Sequence, residues 1–120
     1  MGQLFSGLKV VDCASFIAAP SAATILSDFG ADVIKIEPPG AGDGLRSLYV
    51  RVGAPSSDKD YGWMMDSRNK RDIAIDLRTE GGLAVLHRLV DNADVFLTNM
   101  PLGSRRRMKI GYEDLSPRNP

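Results

Sequence analysis

A parallel α/β fold, one sheet flanked by helices, is predicted by three features of this 120-residue chain. Two short β-branched runs, residues 8–12 and 33–36, stand on either side of a helix-periodic segment. Strand, helix and strand inside about thirty residues imply a right-handed βαβ unit. The same order returns later, with an alternating run at 71–77, a helical period beyond Thr79 and an apolar run at 94–98. Finally, the apolar runs are followed by residues that stop strands, among them Pro38-Pro39-Gly40 and Asn99-Met100-Pro101.

Taken in order, residues 8–12 form the first strand, after the turn residues Ser6 and Gly7. A small-residue stretch, Cys13 to Pro20, leads into a helix with Pro20 in its first turn. Ala22, Ile25, Leu26 and Phe29 fall at i, i+3, i+4 and i+7 and are expected to form its buried face. Gly30 suits the left-handed position that closes the helix. The second strand, residues 33–36, empties into a Gly- and Pro-rich segment, about 38–65, with no sustained period. A loop of that length is expected to be functional, mobile or part of an interface. In the third strand Ile73, Ile75 and Leu77 share one face, and Asp72, Ala74 and Asp76 the other. Thr79 is the expected N-cap of a helix burying Leu83, Leu86, Leu89 and Val90. After the fourth strand comes a basic segment, Ser104 to Lys109, of one or two helical turns, and a last turn over residues 112–115. A parallel sheet needs both faces covered, and two substantial helices only just supply that, so the chain reads as a segment of a larger fold.

Composition narrows the function. The chain is 43% hydrophobic and 25% charged, as expected of one globular unit without a second domain. Fifteen basic residues balance fifteen acidic ones, so no global charge points to nucleic acid or an anionic membrane, and any anion site is local. A single cysteine makes no internal disulfide and fits a reducing, cytoplasmic setting. No run is apolar enough to span a bilayer, and the start lacks the pattern of a secretory signal. Gly2 with Ser6 matches a myristoylation pattern only formally.

Several residues carry candidate chemistry. Glu37 ends the second strand where dinucleotide-binding proteins place a ribose-binding acid. The glycine fingerprint is missing from the first strand-to-helix turn, however, and Gly40, Gly42 and Gly44 come after the wrong strand. No Gly-Lys-Ser or Gly-Lys-Thr follows, which excludes a P-loop. Arg105, Arg106, Arg107 and Lys109 form the densest positive charge, read either as a phosphate grip or as a solvated face. Arg78 and Asn99 end strands at the same sheet edge and are expected to converge with that cluster on a polyanion. Cys13 reads as a buried small hydrophobe, and His87 as half of a surface pair with Asp91. No His or Cys cluster has metal-ligand spacing, so no metal site is expected.

Longer motifs carry a resemblance. Gly7 to Asp12, Ala19-Pro20, and Leu26 to Gly40 followed by Gly42-Asp43 and Arg46 resemble the opening of family III CoA-transferases, the CaiB/BaiF group. That group includes formyl-CoA and carnitine CoA-transferases and α-methylacyl-CoA racemase. Asn69 to Leu77, Ala93 to Val95, Asn99 with Gly103 and Arg107, and Ile110 to Leu115 continue it in register over the whole chain. The match is to the N-terminal third of such proteins, which continue past Pro120.

The resemblance implies a Rossmann-like CoA-binding segment over residues 1–120, an incomplete N-terminal part of the larger CaiB/BaiF fold. It implies CoA contacts at Ile17 and Ala18, at Ile75, Asp76, Leu77 and Arg78, at Asn99, Met100 and Pro101, and at Arg107. It also implies coenzyme A or acyl-CoA as substrate rather than as a permanent cofactor, a carboxylic acid acceptor, and an interlocked homodimer. The nucleophilic Asp of the transferases is expected beyond Pro120, so no catalytic residue is assigned in this chain. A racemase or isomerase, and a non-catalytic CoA-binding or interaction fragment, are the alternative readings. Ile17 replaces a Gln of the formyl-CoA branch, Pro38 an Arg, and Lys109 a common Gly. The loop after Glu37 is expected to pack against a partner subunit.

Overall fold

The computed structural model describes residues 2–48 and 52–120. The middle of the predicted 38–65 loop, residues 49–51, and Met1 lie outside the described residues. Four parallel strands form one sheet: β1 (Lys9–Asp12), β2 (Asp32–Glu37), β3 (Arg71–Ala74) and β4 (Val95–Leu97), in the order β3-β2-β1-β4. Helices α1 (Ala18–Asp28) and α3 (Glu80–Val90) provide the crossovers. Three short helices complete the described set: α2 (Tyr61–Asp66), α4 (Leu102–Met108) and α5 (Tyr112–Leu115). The predicted fold class holds.

Strand bounds follow from where backbone partners run out. Ile75 N still donates to Glu37 O at 2.9 Å, but Pro39 has no N–H to donate to Ile75 O and extend the ladder. The chain then turns at once, with Thr79 N on Asp76 O (3.1 Å) and Arg78 N on Asp76 Oδ1 (3.0 Å). β3 therefore stops at Ala74 rather than Leu77. Thr79 caps α3 as expected, accepting from Gly82 N at 3.0 Å. Gly30 lies in the left-handed region at φ 106°.

Because side chains alternate along a strand, the two faces of the sheet can be read separately. Val11, Cys13 and Ile36 point to the face covered by α3 and the C-terminal turns. There they pack with Ile75, Leu77, Leu86, Val90, Ile110 and Leu115. Val10 and Val33 point to the α1 face and pack with Ala23 and Ala31. Both faces of β1 and β2 are thus covered, and the edge strand β4 stays half-buried.

Helix α1 departs from expectation. Its buried residues are Pro20, Ala23, Thr24 and Ser27, while Ala22, Ile25 and Phe29 are exposed and Leu26 is half-buried. The reason is a polar seam. Thr24 Oγ1 donates to Asp66 O (2.6 Å), Ser21 Oγ to Asp66 Oδ1 (3.1 Å), and Asn69 Nδ2 to Ser27 O (2.8 Å). The segment after α2 thereby crosses the helix on its small, hydroxyl-bearing side, which a search for apolar period does not see. Phe29 instead meets Phe5 edge-on, their ring centroids 6.4 Å apart.

The predicted long loop also holds more structure than its composition indicated. A 3-10 turn at Gly44–Ser47 begins at Asp43, whose side chain accepts from Leu45 N, and α2 begins at Asp60, whose side chain accepts from Trp63 N. Both signals were short caps without an apolar period behind them.

Candidate functional site

A crevice of about 310 Å³ opens at the carboxyl ends of the strands, walled by Ile36, Glu37, Ile75 to Arg78, Ser15, Met100 and Met108. Its position is set by topology, since parallel strands all deliver their ends to one edge. Ile75 and Leu77 are buried and anchor its floor in the apolar core. Its lining is mostly apolar, with Arg78 at the rim.

Of the residues singled out for CoA contact, Ile75, Asp76, Leu77, Arg78 and Met100 share these walls. Ile17 caps the start of α1 and Ala18 is its first residue; both are exposed, and no side chain caps that helix end. Asn99 is clasped to Ser15, accepting from Ser15 N at 2.9 Å and donating to Ser15 O at 2.8 Å. This exchange ties the β4 end to the loop after β1. Pro101 begins α4, and Arg107 sits exposed on that helix, its Nη2 3.4 Å from Ser104 Oγ. Met108, its neighbour in sequence, reaches the crevice.

β3 and β4, the strands that Arg78 and Asn99 follow, are the two edges of the sheet rather than neighbours, and the cationic groups take separate partners. Arg78 folds onto Asp76, with Nε and Nη2 at 2.8 and 2.9 Å from the two carboxylate oxygens. The Arg78 fork holds the Asp76 carboxyl down at about 2. Arg105 lies with Phe96, Thr98 and Ile110 along a different cavity, beside β4. Asp91 takes Arg118 as its bidentate partner, at 2.9 and 2.7 Å, rather than forming the simple pair with His87. Lys109 adopts φ 54° at the end of α4, the conformation that accounts for glycine being common there.

Cys13 is fully buried, and burial pushes its thiol up to about 12, consistent with a packing role. Among the described residues no group of three or more His, Cys, Asp or Glu is arranged to hold a metal ion. Likewise, no described helix is long and apolar enough to cross a membrane.

What residue-type reasoning missed lies on the α1 side of the sheet. Asp12 and Lys35 stand directly opposite each other in the β1–β2 register. Lys35 Nζ is 2.9 Å from Asp43 Oδ2 and 4.0 Å from Asp12 Oδ1. It donates to Ala14 O at 2.6 Å, while the Asp43 contact is an ion pair angled too poorly to count as a hydrogen bond. Lys70 Nζ donates to Asp12 Oδ2 at 2.9 Å and to Pro20 O at 2.7 Å. Burial lowers the Lys70 ammonium, opposed chiefly by the Asp12 charge. The four side chains form a buried, alternating chain, Asp43–Lys35–Asp12–Lys70, each of them 2% exposed or less. The sequence signal was faint: a lysine inside an otherwise apolar run, between Ile34 and Ile36.

Glu37 has a structural task as well. It accepts from Asp43 N (2.6 Å) and from both Nε and Nη2 of Arg46 (2.8 and 2.6 Å). The Arg46 guanidinium lies 3.6 Å from the centre of the Trp63 ring. Burial works against the Glu37 carboxylate, but hydrogen bonds led by Arg46 outweigh it and hold the group at about 2. With its oxygens engaged in this way, Glu37 is not presented to a ribose.

Comparison with known proteins places this geometry. The description of CoA-transferase family III matches residues 5–120. The chain is 38% identical over 119 residues to an (R)-2-hydroxy-4-methylpentanoate CoA-transferase of Clostridioides difficile, covering 98% of this chain and 30% of that protein. It is 40% identical over 116 residues to the beta subunit of a succinyl-CoA–L-malate CoA-transferase of Chloroflexus aurantiacus, covering 96% and 28%. The crystal structure of a CaiB/BaiF family protein from Brucella suis superposes with a TM-score of 0.88 at 38% identity, covering 100% of this chain and 32% of that one. The chain spans under a third of the length of these relatives. With the family description matching nearly end to end, the chain belongs to CoA-transferase family III.

Proposed function

We propose that this chain supplies the CoA-binding part of an enzyme that moves coenzyme A between an acyl thioester and a free carboxylic acid. The observation that carries this reading is the crevice at the strand ends, whose walls include Ile75 to Arg78 and Met100. An apolar floor with an arginine at its rim suits a ligand that joins a pantetheine arm to phosphates. The relatives named above are CoA-transferases, which favours transfer over racemisation.

In this reading Ile17, Ala18, Ile75, Asp76, Leu77, Arg78, Asn99, Met100, Pro101 and Arg107 surround the coenzyme. Arg78 leaves Asp76 to meet a phosphate, and Arg107 gives a second fork. The thioester is attacked by an aspartate that lies past Pro120, giving a mixed anhydride and CoA thiolate. The thiolate then attacks the aspartyl carbonyl, releasing the first acid and leaving an aspartyl thioester. The acceptor carboxylate attacks that thioester, giving a second mixed anhydride and the thiolate, which attacks the acceptor's acyl carbon to form the new thioester and free the aspartate. This chain's residues hold the thiolate's parent molecule in place between those steps, which is where positioning contributes most. The same reading carries the interlocked homodimer, with support from the half-exposed β4 edge.

Titration calorimetry with coenzyme A tests the assignment. Arg107→Ala is expected to weaken binding about tenfold, near 1.4 kcal/mol, while Arg105→Ala, on the other side of α4, changes it little. Equal losses, or no binding by the parent chain at millimolar coenzyme, would reject it.

A further inference from the structure

The Gly42-Asp43-Gly44 turn is read by none of the contacts assigned to the coenzyme, yet it reaches across to the loop that presents Ile17 and Ala18. Phe16 N donates to Asp43 Oδ1 at 2.9 Å, and the same oxygen accepts from Leu45 N at 2.9 Å. Phe16 is held at φ 63°, in the left-handed region, which an aromatic residue adopts only where its surroundings fix it. Its ring lies over Gly44, where an added Cβ would sit 2.6 Å from ring carbon Cζ. One residue before, Ser15 is clasped by Asn99; two before, Ala14 O is held by Lys35. Asp43 is itself kept in place by Lys35 at 2.9 Å and by Glu37, which accepts from its backbone N–H.

We infer that Asp43 is a positioning residue for the coenzyme lip: through Phe16 N–H it fixes the backbone direction of Ile17 and the start of α1. This rests on the CoA-binding reading above. It explains why the turn after β2 is built of Gly, Asp and Gly although it does not line the crevice. Gly44 lets it approach Phe16 in the β1–α1 loop, Gly42 takes the left-handed bend against Glu37 and Arg46, and the carboxylate between them supplies the tether. A packing role alone would require only that the buried charges balance; the positioning role requires an acceptor at the Oδ1 position.

Two double variants of the chain separate these roles. Lys35→Met with Asp43→Asn removes both charges and keeps an acceptor for Phe16 N–H, and Lys35→Met with Asp43→Ala removes the charges and the acceptor. Asp12 keeps Lys70 in both. Amide hydrogen exchange at Phe16 to Ala18 reads the tether directly, and calorimetric titration with coenzyme A reads its use. The Asn variant is expected to keep the parent's exchange protection and to bind coenzyme A within threefold of it. The Ala variant is expected to exchange at least tenfold faster at Phe16 and to bind at least tenfold more weakly, still melting cooperatively but at a lower temperature than the Asn variant, because Leu45 N loses its acceptor as well. Equal exchange in the two variants overturns the tether, and equal affinity overturns the positioning role. If the parent binds no coenzyme A, the functional reading fails and the ligand role fails with it, while the exchange data still decide the tether separately.

Discussion

The two faces of one sheet are closed by different physics. Facing α3, Val11, Cys13 and Ile36 meet Leu86, Val90, Ile110 and Leu115, an aliphatic interior that depends on shape and volume. Facing α1, only the amino half is apolar, through Val10 and Val33; two residues further on, the same face carries Asp12 and Lys35. An aliphatic face tolerates exchange among residues of similar volume. An alternating chain of buried charges does not, because removing one member leaves its neighbours without a counter-charge. The stricter face holds the β1–α1 loop through Ala14 O, whereas the crevice walls Ile36, Ile75, Leu77, Met100 and Met108 belong to the aliphatic one.

The largest expected effect tests that strictness. Lys35→Met, close to isosteric, is expected to cost about 3–5 kcal/mol by leaving Asp43 without its cation, measured by urea denaturation. Leu86→Met, its counterpart on the other face, is expected to cost less than about 1.5 kcal/mol. Should the two cost the same, the contrast between the faces is wrong. Truncation is felt on the aliphatic face: Leu86→Ala is expected to lose about 2–5 kcal/mol through the cavity it leaves.

A third change probes the rim of the charged face by pH. Burial and the neighbouring Glu37 carboxylate push Asp72 up to about 6 from an ordinary 3.8. The folded state therefore binds this proton more tightly than the unfolded one, so the associated stability is present below about pH 4 and is lost as pH rises through about 6. Asp72→Asn, which mimics the neutral acid, is expected to be more stable than the parent at pH 7 and equal to it near pH 4. A constant difference across that range would place the repulsion elsewhere. The smallest expected effect lies away from both faces: Lys109→Gly relieves the left-handed end of α4 and should stabilise by about 1 kcal/mol.

This contrast also accounts for what was legible in the sequence. The order of elements, the Thr79 cap, the Gly30 stop and the Leu86–Val90 face follow from period and cap chemistry, which are local. The residues from Ile75 to Arg78, which line the crevice, were singled out through the family resemblance rather than through period. Hidden were the polar closures. Thr24 and Ser27 face the interior because Asp66 and Asn69 meet the helix there, residues about forty positions away. Lys35 is buried because Asp43, Asp12 and Ala14 O surround it from three segments. No local pattern encodes such meetings. The Gly-rich turn after β2, which composition marked only as part of a long loop, reaches to Phe16 of its own chain.

Gly82 shows how far the influence of such closures extends. In the first turn of α3, a Cβ at this position would lie 2.0 Å from Asp76 O, inside the turn that forms the crevice wall. Any side chain there acts as a wedge, lifting Asp76 to Arg78 away from the strand ends. In a library of random variants screened for coenzyme retention, position 82 should therefore score like a contact residue while touching no ligand. A footprint drawn from such a screen would overstate the site unless it were corrected for levers of this kind.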